Sequence, residues 1–197
     1  LSIGAEGFYT QCKMGNFHTV GLNYYVAAKL IWDSGLDVDA LLDDFYDKFY
    51  GKAAEPMKKY FERLERAFLD YNDHISPFGY KSVSIAAREI FTEDVLADCE
   101  KHIKEAERLA DDKLTRERVR MARITLDYTK MVMKYLDQVA KAYRGVDLKD
   151  KVALEAAKKK ARRIGMSLAE EIKKFLRDND RSDLIEPFEK WFEKNLL

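Results

Sequence analysis

Three prolines and nine glycines in 197 residues leave very few places where a chain can break. Each Gly in a helix interior costs about 1 kcal/mol and each Pro about 3 kcal/mol relative to Ala, so a shortage of both predicts long helices. With 47% hydrophobic and 36% charged residues, those helices can bury a core and stay soluble.

Apolar spacing places them. The first runs from about Leu22 to Trp32, with stripes Leu22, Tyr25, Val26, Leu30 and Tyr24, Ala27, Ala28, Ile31. A helix apolar on nearly every side is expected between two layers. Asp33-Ser34-Gly35 should end it, Gly35 being suited to a left-handed cap. Asp37 is a good N-cap for a second helix that ends at Tyr50, where Gly51 stops it. Its inward face is Val38, Leu41, Leu42, Phe45, Tyr46 and Phe49, an i, i+3, i+4, i+7 pattern. A third helix starts near Ala53, tolerates Pro56 in its first turn and reaches about Asn72. It points Met57, Tyr60, Phe61, Leu64, Phe68 and Tyr71 inward, and Glu62 and Arg66 make an i,i+4 pair. Ser76-Pro77-Phe78-Gly79-Tyr80 is the clear mid-chain loop.

Thr92 caps the next helix, on Val95, Cys99, Ile103, Ala106 and Ala110. A long helix follows Thr115, with seams Val119, Ala122, Leu126, Thr129, Met133, Leu136, Ala140, Tyr143 and, beside it, Met121, Thr125, Tyr128, Val132, Tyr135, Val139. The next spans roughly Leu148 to Leu176 on Val152, Ala156, Ala161, Ile164, Leu168, Ile172 and Phe175. A short last helix covers Glu186 to Asn195. The class is therefore all-α, a bundle of about six to seven helices whose seams could feed one core.

One stretch departs. Ile3 to Cys12, with an aromatic centre and flanking glycines, reads as a strand running into a loop. A strand needs a ladder partner for its backbone donors and acceptors, and no second strand is legible, so the partner is expected in preceding sequence. Leu1 in place of an initiating Met fits that expectation, and it leaves localisation open.

Candidate chemistry is sparse. Lys plus Arg and Asp plus Glu each total 35, so a main role in gripping nucleic acid or an anionic membrane is not expected. Cys12 and Cys99 cannot make a disulfide framework. His18, His74 and His102 lack metal-ligand spacing, and no phosphate loop or Gly-x-Ser-x-Gly elbow occurs. Cofactors and metals are not expected. Asp37, Asp39, Asp43, Asp44 and Asp47 lack the glycine and glutamate of a calcium loop and read as a solvated acidic face. Lys158-Lys159-Lys160-Ala161-Arg162-Arg163 reads as an outer helix face, because Ala161 and Ile164 keep the seam running through it. The helical aromatics read as core, with Tyr9, Tyr24 and Trp32 as the ones a pocket could use.

Asn23-Tyr24-Tyr25-Val26-Ala27-Ala28-Lys29-Leu30-Ile31-Trp32-Asp33 resembles a stretch of the α-glucuronidase family of glycoside hydrolases. Gly35 to Ala40 and Phe45-Tyr46-Asp47-Lys48-Phe49-Tyr50-Gly51 look still more like a bacterial family catalogued only as a domain of unknown function. Ile90-Phe91-Thr92-Glu93 and Arg118 to Arg123 are also similar to that family. The resemblance is strongest over 7–51, patchy to Tyr135 and absent beyond. It implies that the opening strand is the last strand of a (β/α)8 barrel and that residues 1–33 are its last strand and helix. Residues 34–197 would then be a C-terminal helical domain. Ligands in such barrels meet the loops after the strands, here Thr10 to His18, which makes Tyr9, Gln11, Asn16 and His18 the substrate-binding candidates. The α-glucuronidases carry a Gly-His pair before this helix; counting back from Trp32 puts Phe17 at their histidine and His18 one place later.

No catalytic residue is assigned to this chain. Glycoside hydrolysis usually takes two positioned carboxylates, and Glu6, the one acid on the strand, lies far from its C-terminal end. The partners implied are the upstream barrel, the carbohydrate substrate of the parent and a homodimer face, with no nucleic acid and no membrane. A parent acting on polysaccharide would be secreted or periplasmic. The rival reading is a stand-alone helical module that binds protein or glycan.

Overall fold

The computed structural model describes residues 17–73, 83–147 and 149–195. Among them all regular structure is helical: α1 (Phe17–Trp32), α2 (Val38–Tyr50), α3 (Ala54–Leu69), α4 (Val83–Ile90), α5 (Glu93–Leu109), α6 (Lys113–Tyr143), α7 (Lys151–Asp178) and α8 (Ile185–Asn195). Two 3₁₀ turns, Gly51–Ala53 and Ser182–Leu184, lead into α3 and α8. Seven of these helices fall on the stretches the spacing predicts. The addition is α4. Its eight residues span barely two turns, too few for periodicity to show, yet Ala86 and Ile90 bury at i and i+4.

Local chemistry explains the boundaries. Asp37 caps α2, its carboxylate accepting from the backbone N–H groups of Asp39 and Ala40. Asp150 does the same for α7 from Val152 and Ala153. Gly51, at φ 51°, ends α2 in the left-handed region and donates its N–H to Asp47. Gly35 plays no such part: its φ is not positive, and its N–H donates to the Asp33 carboxylate at 2.9 Å, so an Asp-centred turn closes α1. Asp112, rather than Thr115, opens α6, accepting from the N–H groups of Leu114 and Thr115.

The described helices fall into two compact units. Unit 1 joins the chain up to Phe61 with Lys101–Thr125; unit 2 joins Glu62–Glu100 with the chain from Leu126 onward. Unit 1 is built on rings. Tyr25 of α1 meets Phe45 of α2 at 5.2 Å, and Phe45 stacks on Phe49 at 5.0 Å. Tyr46, Tyr50, Met57 and Tyr60 bury beside them. From the second stretch of this unit Arg118 reaches back, its guanidinium 3.9 Å from the Phe49 ring centre, and donates to the Phe49 carbonyl at 2.6 Å.

Unit 2 is aliphatic. Ala169, Ile172 and Leu176 of α7 close on Phe188 of α8, flanked by Tyr128, Met131 and Val132 of α6. Tyr135, Leu136 and Leu168 form a second cluster. Lys173 ties α7 to α8, pairing with Glu170 at 2.5 Å and Glu189 at 3.2 Å.

Some of the expected inward residues face water. Val152 is 81% exposed and Ala156 is exposed, because α7 buries Ala157 and Gly165 beside the expected Ala161. Small residues one turn apart let another backbone approach closely, a stripe that a search for bulky side chains passes over. Phe68 is 48% exposed and meets Phe91 edge-on at 5.7 Å. Arg66 pairs with Asp70 at 2.9 Å rather than with Glu62.

Candidate functional site

Tyr9, Gln11 and Asn16 lie outside the described residues, as does the expected strand from Ile3 to Cys12. α1 begins at Phe17, well before the predicted start near Leu22, so the backbone of His18 is helical and not part of a loop. Nothing further is described of its side chain. The four expected binding residues are therefore not brought together by anything described here.

What unit 1 does present is an apolar corner. Trp32 is 93% exposed and Ile31 50% at the end of α1, Leu36 38% in the turn that follows, and Val38 40% at the start of α2. Ala28 and Lys29, one turn earlier, are exposed too. Among the described residues α1 packs against α2, and the C-terminal end of α1 is bare. Singly exposed apolar residues are ordinary; four of them within eight residues, one an almost fully exposed indole, make a candidate interaction surface.

Residues 1–62 match the family model described as "Domain of unknown function (DUF4838)". That stretch contains the apolar corner and ends one residue beyond the first stretch of unit 1. The match supports a family of unknown function and does not bear on the likeness to α-glucuronidases. No curated protein and no solved structure matches the chain.

Unit 2 holds a cleft of about 560 Å³ between the end of α3, the end of α4 and the start of α5. Arg63, Asp70, Tyr71, Glu89, Thr92 and Asp94 are among its walls. Its central charges are already satisfied. Arg63 donates to Asp98 at 2.9 Å and to Asp94 at 3.1 Å. The Thr92 hydroxyl donates to Asp94 at 2.5 Å and is the main reason that carboxyl is held below the usual carboxylate range. No histidine or cysteine is among its described walls, and no group of three or more His, Cys, Asp or Glu among the described residues could hold a metal. Arg63 and Thr92 act here as a brace between α3 and the first turn of α5. A negative charge near a helix N-terminus is also favoured by the helix dipole. No helix of the described residues is long and apolar enough to cross a membrane.

Cys99 sits in unit 2 with no exposed surface, on the seam that begins at Val95. Burial pushes its thiol up to about 11, from an ordinary 9.0. The thiolate is the reactive form, so Cys99 should resist a thiol reagent such as DTNB in the native protein and react at once in urea. The shift also fixes a sign. The native state keeps its proton where the unfolded chain loses it, so this contribution to stability is intact below pH 9 and fades as pH rises toward 11. Urea midpoints of wild type and Cys99→Ala should converge over that window; a wild-type midpoint gaining on the variant with rising pH contradicts the assignment.

The predicted basic run is where the sequence puts it. Lys158, Lys159, Lys160, Arg162 and Arg163 are exposed, while Ala157 and Ala161 bury at 4% and 1%. The acidic run likewise lines the outside of α2, with Asp39, Asp43, Asp44 and Asp47 exposed.

Proposed function

We propose that this chain is the C-terminal helical part of a glycoside hydrolase-like, carbohydrate-active protein. In this reading residues 3–12 form the last strand of a (β/α)8 barrel, α1 follows as its last helix, and the helices beyond brace the barrel and shape one wall of the substrate cleft. The catalytic carboxylates belong to the preceding strands, and this chain alone has no turnover. In this reading Tyr9, Gln11 and Asn16 line the sugar site from the loop end of that last strand, and His18 from the first turn of α1.

The observation that carries the reading is the bare corner at Ile31, Trp32, Leu36 and Val38, inside the family-matched residues 1–62. Complete burial of a large apolar side chain is worth roughly 1.5–3 kcal/mol. An indole left in water at the end of an otherwise apolar helix is accounted for if a further layer covers it. A barrel supplies that layer, because its helices pack on one side against strands and on the other against appended domains.

The test uses the chain with and without the preceding barrel sequence. Backbone amides of residues 31–38 should gain protection from exchange when the barrel is present. Trp32→Ser should weaken that protection in the joined protein. In the 197-residue chain the same change should alter stability by no more than about 0.5 kcal/mol, the usual range for exposed sites. Equal exchange in both forms leaves Trp32 with no barrel to meet and returns the chain to a stand-alone interaction module. Hydrolysis of aryl glycosides or glucuronides by the 197-residue chain would contradict the placing of the carboxylates elsewhere.

A further inference from the structure

Most ion-paired surface cations here sit on a neighbouring carboxylate: Lys48 on Asp44, Lys52 on Asp111, Arg123 on Glu107, Lys141 on Asp137. The first half of α7 is different. From Lys151 to Met166 there are six bases (Lys151, Lys158, Lys159, Lys160, Arg162, Arg163) and one acid, Glu155. Glu155 neutralises Lys158 at 2.8 Å. The remaining five are exposed and have no ion pair among the described residues.

Their arrangement is regular. Val152, Ala156, Lys159, Arg163 and Met166 succeed one another at i, i+4, i+7, i+11 and i+14, on the side of α7 away from buried Ala157, Ala161 and Leu168. Val152 at 81% exposure and Met166 at 56% bracket the cations. This is the spacing at which one helix packs along another, over about 21 Å at 1.5 Å per residue. Its chemistry is apolar at the ends and cationic in the middle.

A complementary face exists in the same chain. Between Asp33 and Asp47 there are six acids and no base. The outer side of α2 shows Asp39, Ala40, Asp43, Asp44 and Asp47, with Val38 exposed at its start. Asp39 and Asp47 have no ion pair among the described residues, so they are open to a cation from outside. Within an overall charge of zero the chain therefore carries two opposed faces.

We infer that the outer face of α7 docks on the outer face of α2 of a second copy of this chain. A polyanion is the poorer occupant. Zero net charge gives no long-range pull toward one, and the α7 face carries no aromatic side chain on which a base could stack. The two faces differ, so the contact is heterologous and every bound pair still offers one free face of each kind. Association then continues into chains or closes into a ring. The charged residues Asp39, Asp43, Asp44 and Asp47 lie outside the corner assigned to the proposed barrel, and the inference rests on them and not on that corner.

Analytical ultracentrifugation of the 197-residue chain tests it. The average mass should rise with protein concentration at low salt and return to the monomer at high salt, where exposed charges are screened. Lys159→Glu with Arg163→Glu, or Asp39→Lys with Asp47→Lys, should each weaken association by about tenfold or more, the effect of losing two exposed ion pairs. Mixing the two variants should restore it, because each reversed face then finds its opposite. Circular dichroism and melting confirm that both variants fold, and Lys159→Gln with Arg163→Gln replaces a reversal that does not. A wild-type chain that stays monomeric at low salt overturns the inference, and so does a mixture that fails to reassociate. A monomer that instead binds duplex DNA, and loses it with Lys159→Glu and Arg163→Glu, assigns the α7 face to a polyanion.

Discussion

Arg118→Ala should cost about 2–4 kcal/mol of stability, read from the urea midpoint at unchanged slope. Two interactions leave together. The guanidinium donates to the Phe49 carbonyl at 2.6 Å, and it lies over the Phe49 ring at 3.9 Å. The carbonyl is in the last turn of α2, where backbone acceptors have no helical donor and the helix dipole is negative. A charged hydrogen bond to such a group contributes about 1.5–3 kcal/mol and the ring contact about 0.5–2 kcal/mol. Arg118→Lys keeps the charge and loses the flat plate, so it should recover less than half of the loss. A cost below about 1 kcal/mol for the Ala variant would mean that Arg118 only decorates the surface of unit 1.

The second large effect is expected in the other unit. Leu176 has no exposed surface and sits between Phe188 and the partly buried Tyr128, Met131 and Val132. Leu176→Ala should cost about 3–5 kcal/mol, the transfer of the lost methyl groups plus the cavity they leave. Met166→Ala, on the exposed side of the same helix at 56%, should stay within about 0.5 kcal/mol. The contrast removes any contribution from helix propensity, since both changes introduce Ala into α7. If the two costs are equal, burial is not what holds α7 to α8.

Much of this helical arrangement can be read without coordinates. The seam Val95, Cys99, Ile103, Ala106, Ala110 buries at every position, and Asp37 and Gly51 cap and stop α2 as their chemistry requires. Those signals are local: spacing along one helix, or one side chain against its own backbone. What escapes is non-local. Arg118 reads as one more surface charge, because nothing near it in sequence reveals that Phe49, 69 residues earlier, is its partner. The burial of Ala157 in preference to the larger Val152 runs against side-chain hydrophobicity, which is all that a hydrophobicity pattern records. The exposure of Trp32 contradicts its own composition, and that disagreement is what makes it informative. The candidate sugar-binding residues Tyr9, Gln11, Asn16 and His18 came from resemblance, not from spacing, and the described side chains do not include them.

The split of unit 1 into two stretches has a consequence during synthesis. Phe45, Tyr46, Phe49 and Tyr50 leave the ribosome long before Lys101–Thr125, the stretch that completes their unit. At about 5–20 residues per second, the gap from Phe61 to Lys101 takes roughly 2–8 seconds to translate. For that interval a nascent chain carries a cluster of rings with no lid, long enough for a holding chaperone to find it.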